Sequence, residues 1–230
     1  MAAFSDRTQA GRVLAGLLRD WAGRPDLLVL ALPRGGVPVA YEIATALGAP
    51  LDVLVVRKLG LPGHEELAMG AIAGAGGGTV VVNDEVVRLS GVPAELLEEQ
   101  ARIERAELVR RERLWRGELP PADVAGRTVI LVDDGLATGS TMRAALGALR
   151  QLGPAGVIVA VPTAPLSACQ RLSLEADLVI CPSNPVPFVA VGHSYQVFDQ
   201  TSDEQVRDLL ARAAAVEPGR VDQSGTGVRE

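Results

Sequence analysis

Five short, mostly apolar runs punctuate this chain, at 27–32, 51–56, 128–132, 156–161 and 177–181. Runs of that length and continuity predict strands covered on both faces. Between them the spacing turns helical, over 37–47 with Gly48 as the stop, over 141–152, and over about 165–175. Strand alternating with helix predicts an α/β fold with a mostly parallel central sheet, helices on both faces and right-handed crossovers.

Outside that alternation the pattern changes character. Residues 5–21 place Val13, Leu14, Leu17, Leu18 and Trp21 on one helical face, with Ser5 as cap and Gly23 as stop. The segment 58–78 is rich in glycine, proline and charge, with short strand candidates at 69–73 and just beyond it at 79–83. A loop of that length inside a compact domain is expected to be a lid or a binding loop. Residues 93–116 read as a charged helix with Glu98/Arg102 and Glu107/Arg111 at supportive spacing. Its thin stripe through Leu96, Ile103 and Leu114 is expected to lie against the sheet or a partner subunit. Residues 182–200 are irregular and hold Phe188, Tyr195 and Phe198. A last helix is expected after Ser202, with Asp203 and Glu204 in its first turn. The polar stretch 217–230 is expected to be a disordered tail, so that 1–216 form a single domain.

Composition narrows the class. With 48% hydrophobic residues but 3% aromatic ones, the core must be aliphatic, as suits valine-rich central strands. A net charge of −6 argues against a general nucleic-acid binder while leaving room for a local basic patch. Cys169 and Cys181 have no zinc-site spacing and are expected to be reduced. No apolar run reaches membrane-spanning length, and the first residues lack the core of a secretory signal; the cytoplasm is the expected location.

The densest chemistry follows the 128–132 strand. Asp133 and Asp134 stand at its carboxyl end, and Gly135, Leu136, Ala137, Thr138, Gly139, Ser140 and Thr141 then lead into a helix. Backbone N–H groups of such a turn, the positive end of the helix dipole and the hydroxyls of Thr138, Ser140 and Thr141 suit a phosphate. Two carboxylates would repel that phosphate and need another task. An ordinary connection in which Asp134 or Thr138 merely caps the helix is the competing reading. A nucleoside triphosphatase loop would end in Gly-Lys-Ser/Thr, and no lysine occurs from Gly126 onward. The Gly-x-Ser-x-Gly elbow of α/β hydrolases is likewise missing around Ser140.

Strand, acidic pair and Thr-Gly-Ser-Thr turn together resemble the phosphoribosyl pyrophosphate (PRPP) signature of the type I phosphoribosyltransferases. The resemblance spans about residues 25–200 and is similar to stand-alone bacterial phosphoribosyltransferase-domain proteins, which share the 33–40 stretch and Arg-Lys-Leu-Gly at 57–60. It implies that Asp133 and Asp134 face the ribose hydroxyls while the turn 135–141 holds the 5′-phosphate. It further implies that Arg34, Gly35 and Gly36 form a pyrophosphate loop, joined by Arg57 and Lys58 at the start of a flexible loop over 58–78. His64, Glu65 and Glu66 fall in that loop as candidates for proton transfer or phosphate contact. The 182–200 segment corresponds to a variable hood, where Phe188 or Tyr195 would stack on the acceptor. Mg2+ is implied as cofactor, carried mainly by PRPP and in part by Asp133 and Asp134. The implied partners are PRPP, a nitrogen acceptor such as a nucleobase, and a second copy in a homodimer, with no membrane or nucleic acid. One departure is Gly135, where many members carry a branched apolar residue; it is expected to loosen the turn. A regulatory protein that senses PRPP or a nucleotide without catalysis is the alternative reading.

Overall fold

The computed structural model describes residues 3–61, 64–74, 78–82, 84–117 and 119–215. Its centre is a five-stranded, all-parallel sheet. The strands are β1 (Leu27–Ala31), β2 (Leu51–Val53), then, omitting the outer hairpin strands, β6 (Thr128–Val132), β7 (Gly156–Ala160) and β8 (Leu178–Ile180), in the spatial order β2-β1-β6-β7-β8. Each residue of β1 and β6 is buried, and the pleat divides them. Leu27, Val29, Ala31, Ile130 and Val132 pack with α1 (Arg7–Leu17) and α2 (Gly36–Leu47). Leu28, Leu30, Val129 and Leu131 pack with α5 (Ser140–Gln151) and α6 (Leu166–Leu172). Two-sided burial explains why these strands read as unbroken apolar runs rather than alternating ones.

The 51–56 run is not one strand. The chain leaves the parallel sheet after Val53, passes the fully buried Leu54 and enters a second, antiparallel sheet of order β3-β4-β5. Its strands are β3 (Val55–Leu61), β4 (His64–Gly74) and β5 (Thr79–Val82). The sequence carries no warning because Val53, Leu54 and Val55 are all apolar and all buried, so the run is continuous across the change of sheet. Most of the 58–78 segment, read from sequence as loop, is therefore paired strand, with Lys58 opposite Ala71. Glycines hid it: a Cβ on Gly70 would lie 2.3 Å from the Val81 carbonyl, so close approach of β5 requires the residue that also weakens strand propensity. The candidates at 69–73 and 79–83 correspond to parts of β4 and β5.

A short helix α3 (Asp84–Ser90) leads into the long α4 (Ala94–Arg116). The face that α4 buries matches the expected stripe only in part. Leu97, Ala101, Leu108 and Trp115 pack into the core with Leu114 against it, while Leu96 is 37% and Ile103 46% exposed. Ala101 and Trp115 share the buried face with the leucines, and a Leu/Ile count overlooks them. Glu107 pairs with both Arg110 and Arg111, as spacing suggested for the latter, but Arg102 pairs with Glu99 rather than Glu98. Trp115 Nε1 donates to Asp203 at 2.8 Å, tying α4 to the final helix α7 (Asp203–Ala215). Ser202 caps α7 reciprocally: its hydroxyl accepts from Gln205 N–H, and its own N–H donates to Gln205 Oε1. At the other end of the chain Asp6, not Ser5, caps α1, accepting from Gln9 N–H at 2.7 Å. The tail over 217–230 lies outside the described residues. Among those described, no helix is long and apolar enough to cross a membrane.

Candidate active site

The carboxyl ends of β1 and β6 lie side by side, and the loops leaving them are closely packed, with the Asp134 side chain against Gly35. Leu32 N–H donates to the Val132 carbonyl at 2.8 Å, continuing the parallel ladder to the point where both loops begin. A Cβ on Gly35 would lie 2.0 Å from Asp134 Oδ2, and one on Gly36 2.7 Å from the Val132 carbonyl. Glycine is thus required at 35 and 36 by the acidic loop opposite. The Pro33–Arg34 peptide beside them is cis. Arg34, half-buried, lies 3.9 Å from Asp203.

The acidic pair is held from several directions. Asp133 Oδ1 accepts from Asp134 N–H at 2.9 Å. Burial, with the Asp134 charge beside it, pushes the Asp133 carboxyl well above the usual range. Burial also raises Asp134, but an arginine the sequence reading did not single out opposes that rise. Arg7, at the start of α1, sets Nε and Nη2 each 2.8 Å from Asp134 Oδ2. Its Nη1 donates to the Asp199 carbonyl at 2.6 Å, and its guanidinium lies 3.9 Å from the centre of the Phe198 ring. The Arg7 and Asp134 side chains are 12% and 15% exposed. Nothing local marks Arg7, because its partner is 127 residues away and the intervening fold makes the contact.

Tyr195 completes the support. Its hydroxyl donates to the Asp134 carbonyl at 2.6 Å, and its ring packs between Phe198, stacked at 4.9 Å, and Phe4, tilted at 5.7 Å. At 5% exposure that ring lies beneath the acidic pair rather than offering a face to a heterocycle. Burial and the nearby Asp134 carboxylate push its hydroxyl well above the ordinary range, so it remains a donor. Phe188 is half-buried in the 182–200 segment, beside the exposed Val186 and Val189.

The turn 135–141 is anchored through its apolar members and open at its polar ones. Leu136 is buried and its N–H donates to the Thr163 carbonyl at 2.9 Å. Gly135 does not loosen the turn. Its φ of 156° and the place a Cβ would take, 2.5 Å from Val191, show tight packing that only glycine satisfies. Gly139, with φ 77°, precedes α5, whose first residues Ser140 and Thr141 are exposed with Ala137 and Thr138. Thr138 Oγ1 accepts from Ser140 N–H at 3.3 Å. Arg171 Nη2 donates to the Thr138 carbonyl at 3.4 Å.

Lys58 crosses to this turn from the outer sheet: its Nζ donates to Ser140 Oγ at 2.7 Å. Arg57, next to it on β3, turns the other way and pairs with Glu104 of α4 at 2.6 Å. The two cations that sequence placed together are thus separated by the alternation of a strand. His64, Glu65 and Glu66 have their backbone in β4; their side chains lie outside what is described.

A helix start with exposed hydroxyls and a lysine beside it makes a seat for an anion. The adjoining carboxylates can accept from hydroxyl groups of the same ligand. Among the described residues no group of three or more His, Cys, Asp or Glu side chains could hold a metal ion. Asp134 Oδ2 already accepts from Arg7, so the acidic pair has a cation beside it in the protein itself.

The chain is 45% identical over 224 residues to the protein named Putative phosphoribosyl transferase Rv0571c of Mycobacterium tuberculosis (strain ATCC 25618 / H37Rv). That match takes in 96% of this chain and 50% of the other, so the chain spans about half the length of these curated relatives. It is 36% identical over 131 residues to the Bifunctional protein PyrR of Chloroflexus aurantiacus, covering 56% of this chain and 65% of that one. The crystal structure of TT1426 from Thermus thermophilus superposes with a TM-score of 0.82 at 43% identity, over 92% of this chain and 99% of that one. The model of the phosphoribosyl transferase domain matches residues 7–196, a stretch that begins at Arg7 and ends just past Tyr195, and the chain belongs to that family.

Proposed function

We propose that this chain is an enzyme that transfers the 5-phosphoribosyl group of PRPP to a nitrogen acceptor, a nucleobase or similar heterocycle, and releases pyrophosphate. The observation that carries the reading is the meeting of three parts in one place: the turn 135–141, the carboxylates of Asp133 and Asp134, and Lys58 on Ser140. The turn takes the 5′-phosphate through the N–H groups that open α5. Asp133 and Asp134 accept from the ribose hydroxyls and favour the positive charge that develops on the ring as the C1–O bond to pyrophosphate lengthens. Lys58 and Arg34 stabilise the departing pyrophosphate, with Gly35 and Gly36 letting backbone approach it. Arg57 contributes by fixing β3 to α4 through Glu104, which sets where Lys58 stands.

Magnesium, when bound, supplies further charge neutralisation on the pyrophosphate, and it would be carried by PRPP rather than by the acidic pair. The acceptor enters against the 182–200 segment. There the half-buried Phe188 is the aromatic candidate, at about 1–3 kcal/mol for a stacked base. Tyr195 serves instead as a support for Asp134. A cytoplasmic homodimer is part of this proposal, checked by sedimentation and fractionation.

Isothermal titration with PRPP in magnesium buffer is the first test, and absence of binding defeats the proposal. A pyrophosphate-release screen over purines, pyrimidines and other nitrogen heterocycles then identifies the acceptor. PRPP binding with no release for any acceptor leaves a sensor, not an enzyme.

A further inference from the structure

Arg7 belongs to no strand-end loop, yet it is the most closely engaged cation in the site. Its guanidinium donors are directed at two targets, Asp134 Oδ2 through Nε and Nη2 and the Asp199 carbonyl through Nη1, while its flat face rests on Phe198. Such an arrangement differs from a surface ion pair in two respects. Both side chains are largely buried, so the attraction is little screened. The guanidinium is also locked by hydrogen bonds in its plane and by a ring across its face, so little rotamer freedom is lost when a ligand arrives.

The electrostatic balance of the site follows from that contact. Asp133 and Asp134 are adjacent, largely buried carboxylates, and the neighbouring turn would bring a ligand phosphate of the same sign close to them. A pair of carboxylates so placed requires a compensating cation to remain ready to accept from hydroxyls. Resting on the proposed function above, we infer that Arg7 is a positioning residue that supplies this cation permanently, so that the ribose hydroxyls and 5′-phosphate are bound without a divalent metal. Metal dependence then enters only with the pyrophosphate. The same guanidinium links the acidic pair to the 195–199 stretch, so ribose recognition and the wall of the acceptor region share one side chain.

The test uses ribose 5-phosphate, which has the hydroxyls and phosphate but no pyrophosphate, titrated into the full chain in chelator and in excess magnesium. Inorganic phosphate is the control ligand, since it needs the turn alone. The parent is expected to bind ribose 5-phosphate equally well in both buffers. Arg7→Gln keeps a donor to Asp134 and removes the charge; it is expected to bind about tenfold more weakly in chelator and to recover in magnesium, with phosphate affinity unchanged. Arg7→Lys retains the charge and is expected to stay near the parent in chelator. Should Arg7→Gln not fold, Arg7→Lys against the parent still decides, because a metal requirement appearing in Arg7→Lys overturns the assignment of charge as the operative property. Equal binding by Arg7→Gln and parent in chelator overturns the inference while leaving the proposed function standing. So does a loss in Arg7→Gln that magnesium does not restore. Failure of the parent to bind ribose 5-phosphate in either buffer overturns the inference, and the PRPP titration then decides the proposed function by itself.

Discussion

The loops at the ends of the parallel strands and the outer antiparallel hairpin bring polar groups to the same site by different routes. Asp133, Asp134 and the turn to Thr141 are consecutive residues, and their arrangement follows from a strand end and a helix start. Lys58 and Arg57 are also consecutive, but a strand's alternation sends one to Ser140, 82 residues on, and the other to Glu104, 47 residues on. In the first region sequence neighbours stay together in space; in the second they turn to different partners. Sequence order gives the arrangement where it is local and does not where a strand divides it.

Four substitutions test how far this contrast extends. Asp134→Ala leaves the guanidinium of Arg7 buried without its carboxylate, and should cost about 3–5 kcal/mol of stability in a denaturant titration. A loss under about 1 kcal/mol, the most an exposed pair usually contributes, would mean the strand-end region is not built around that pair. Lys58→Ala should do the reverse: pyrophosphate release falls about 100-fold, as when one charge-stabilising donor is removed, while the denaturation midpoint stays put because Lys58 is exposed. Asp133→Asn is expected to stabilise the fold as it weakens PRPP binding. The folded state raises this carboxyl, so a stability penalty builds up as pH rises from the ordinary carboxyl range to that raised value and is full above it, and it disappears below the ordinary range where both states are protonated. Thermal melts should therefore show Asp133→Asn above the parent at neutral pH, by about 2–4 °C per kcal/mol relieved, and level with it in acid. Arg57→Ala has the smallest expected effect, at most about 1 kcal/mol from a partly exposed pair, with pyrophosphate release close to the parent's. If Arg57→Ala instead slows release as much as Lys58→Ala does, the two cations act together and the contrast fails.

Much of the fold was legible because the parallel strands are buried on both faces and announce themselves as unbroken apolar runs. The acidic pair and its turn were legible because small residues, carboxylates and hydroxyls stand in order at a strand end. What escaped has a common cause. Arg7, the support by Tyr195 and the burial of Gly135 all depend on contacts between elements far apart in sequence. The hairpin escaped because the glycines that let its strands approach are also the residues that imitate a loop. The buried face of α4 was misplaced in part because Ala101 and Trp115, rather than Leu96 and Ile103, meet the core.

Leu54, the single residue at which the chain changes sheets, has a mechanical consequence. Its backbone N–H is pinned to the Ala31 carbonyl at 2.9 Å and its side chain is fully buried, so it is a fixed bearing. Lys58 stands four residues further along an extended strand, a lever arm of about 13 Å. A twist of about 10° at that bearing sweeps the tip through about 2 Å, enough to make or break a hydrogen bond of ordinary length. Packing around Leu54 therefore sets the aim of Lys58 from a distance, and a change of one methylene there can retune the site while every residue in it stays the same.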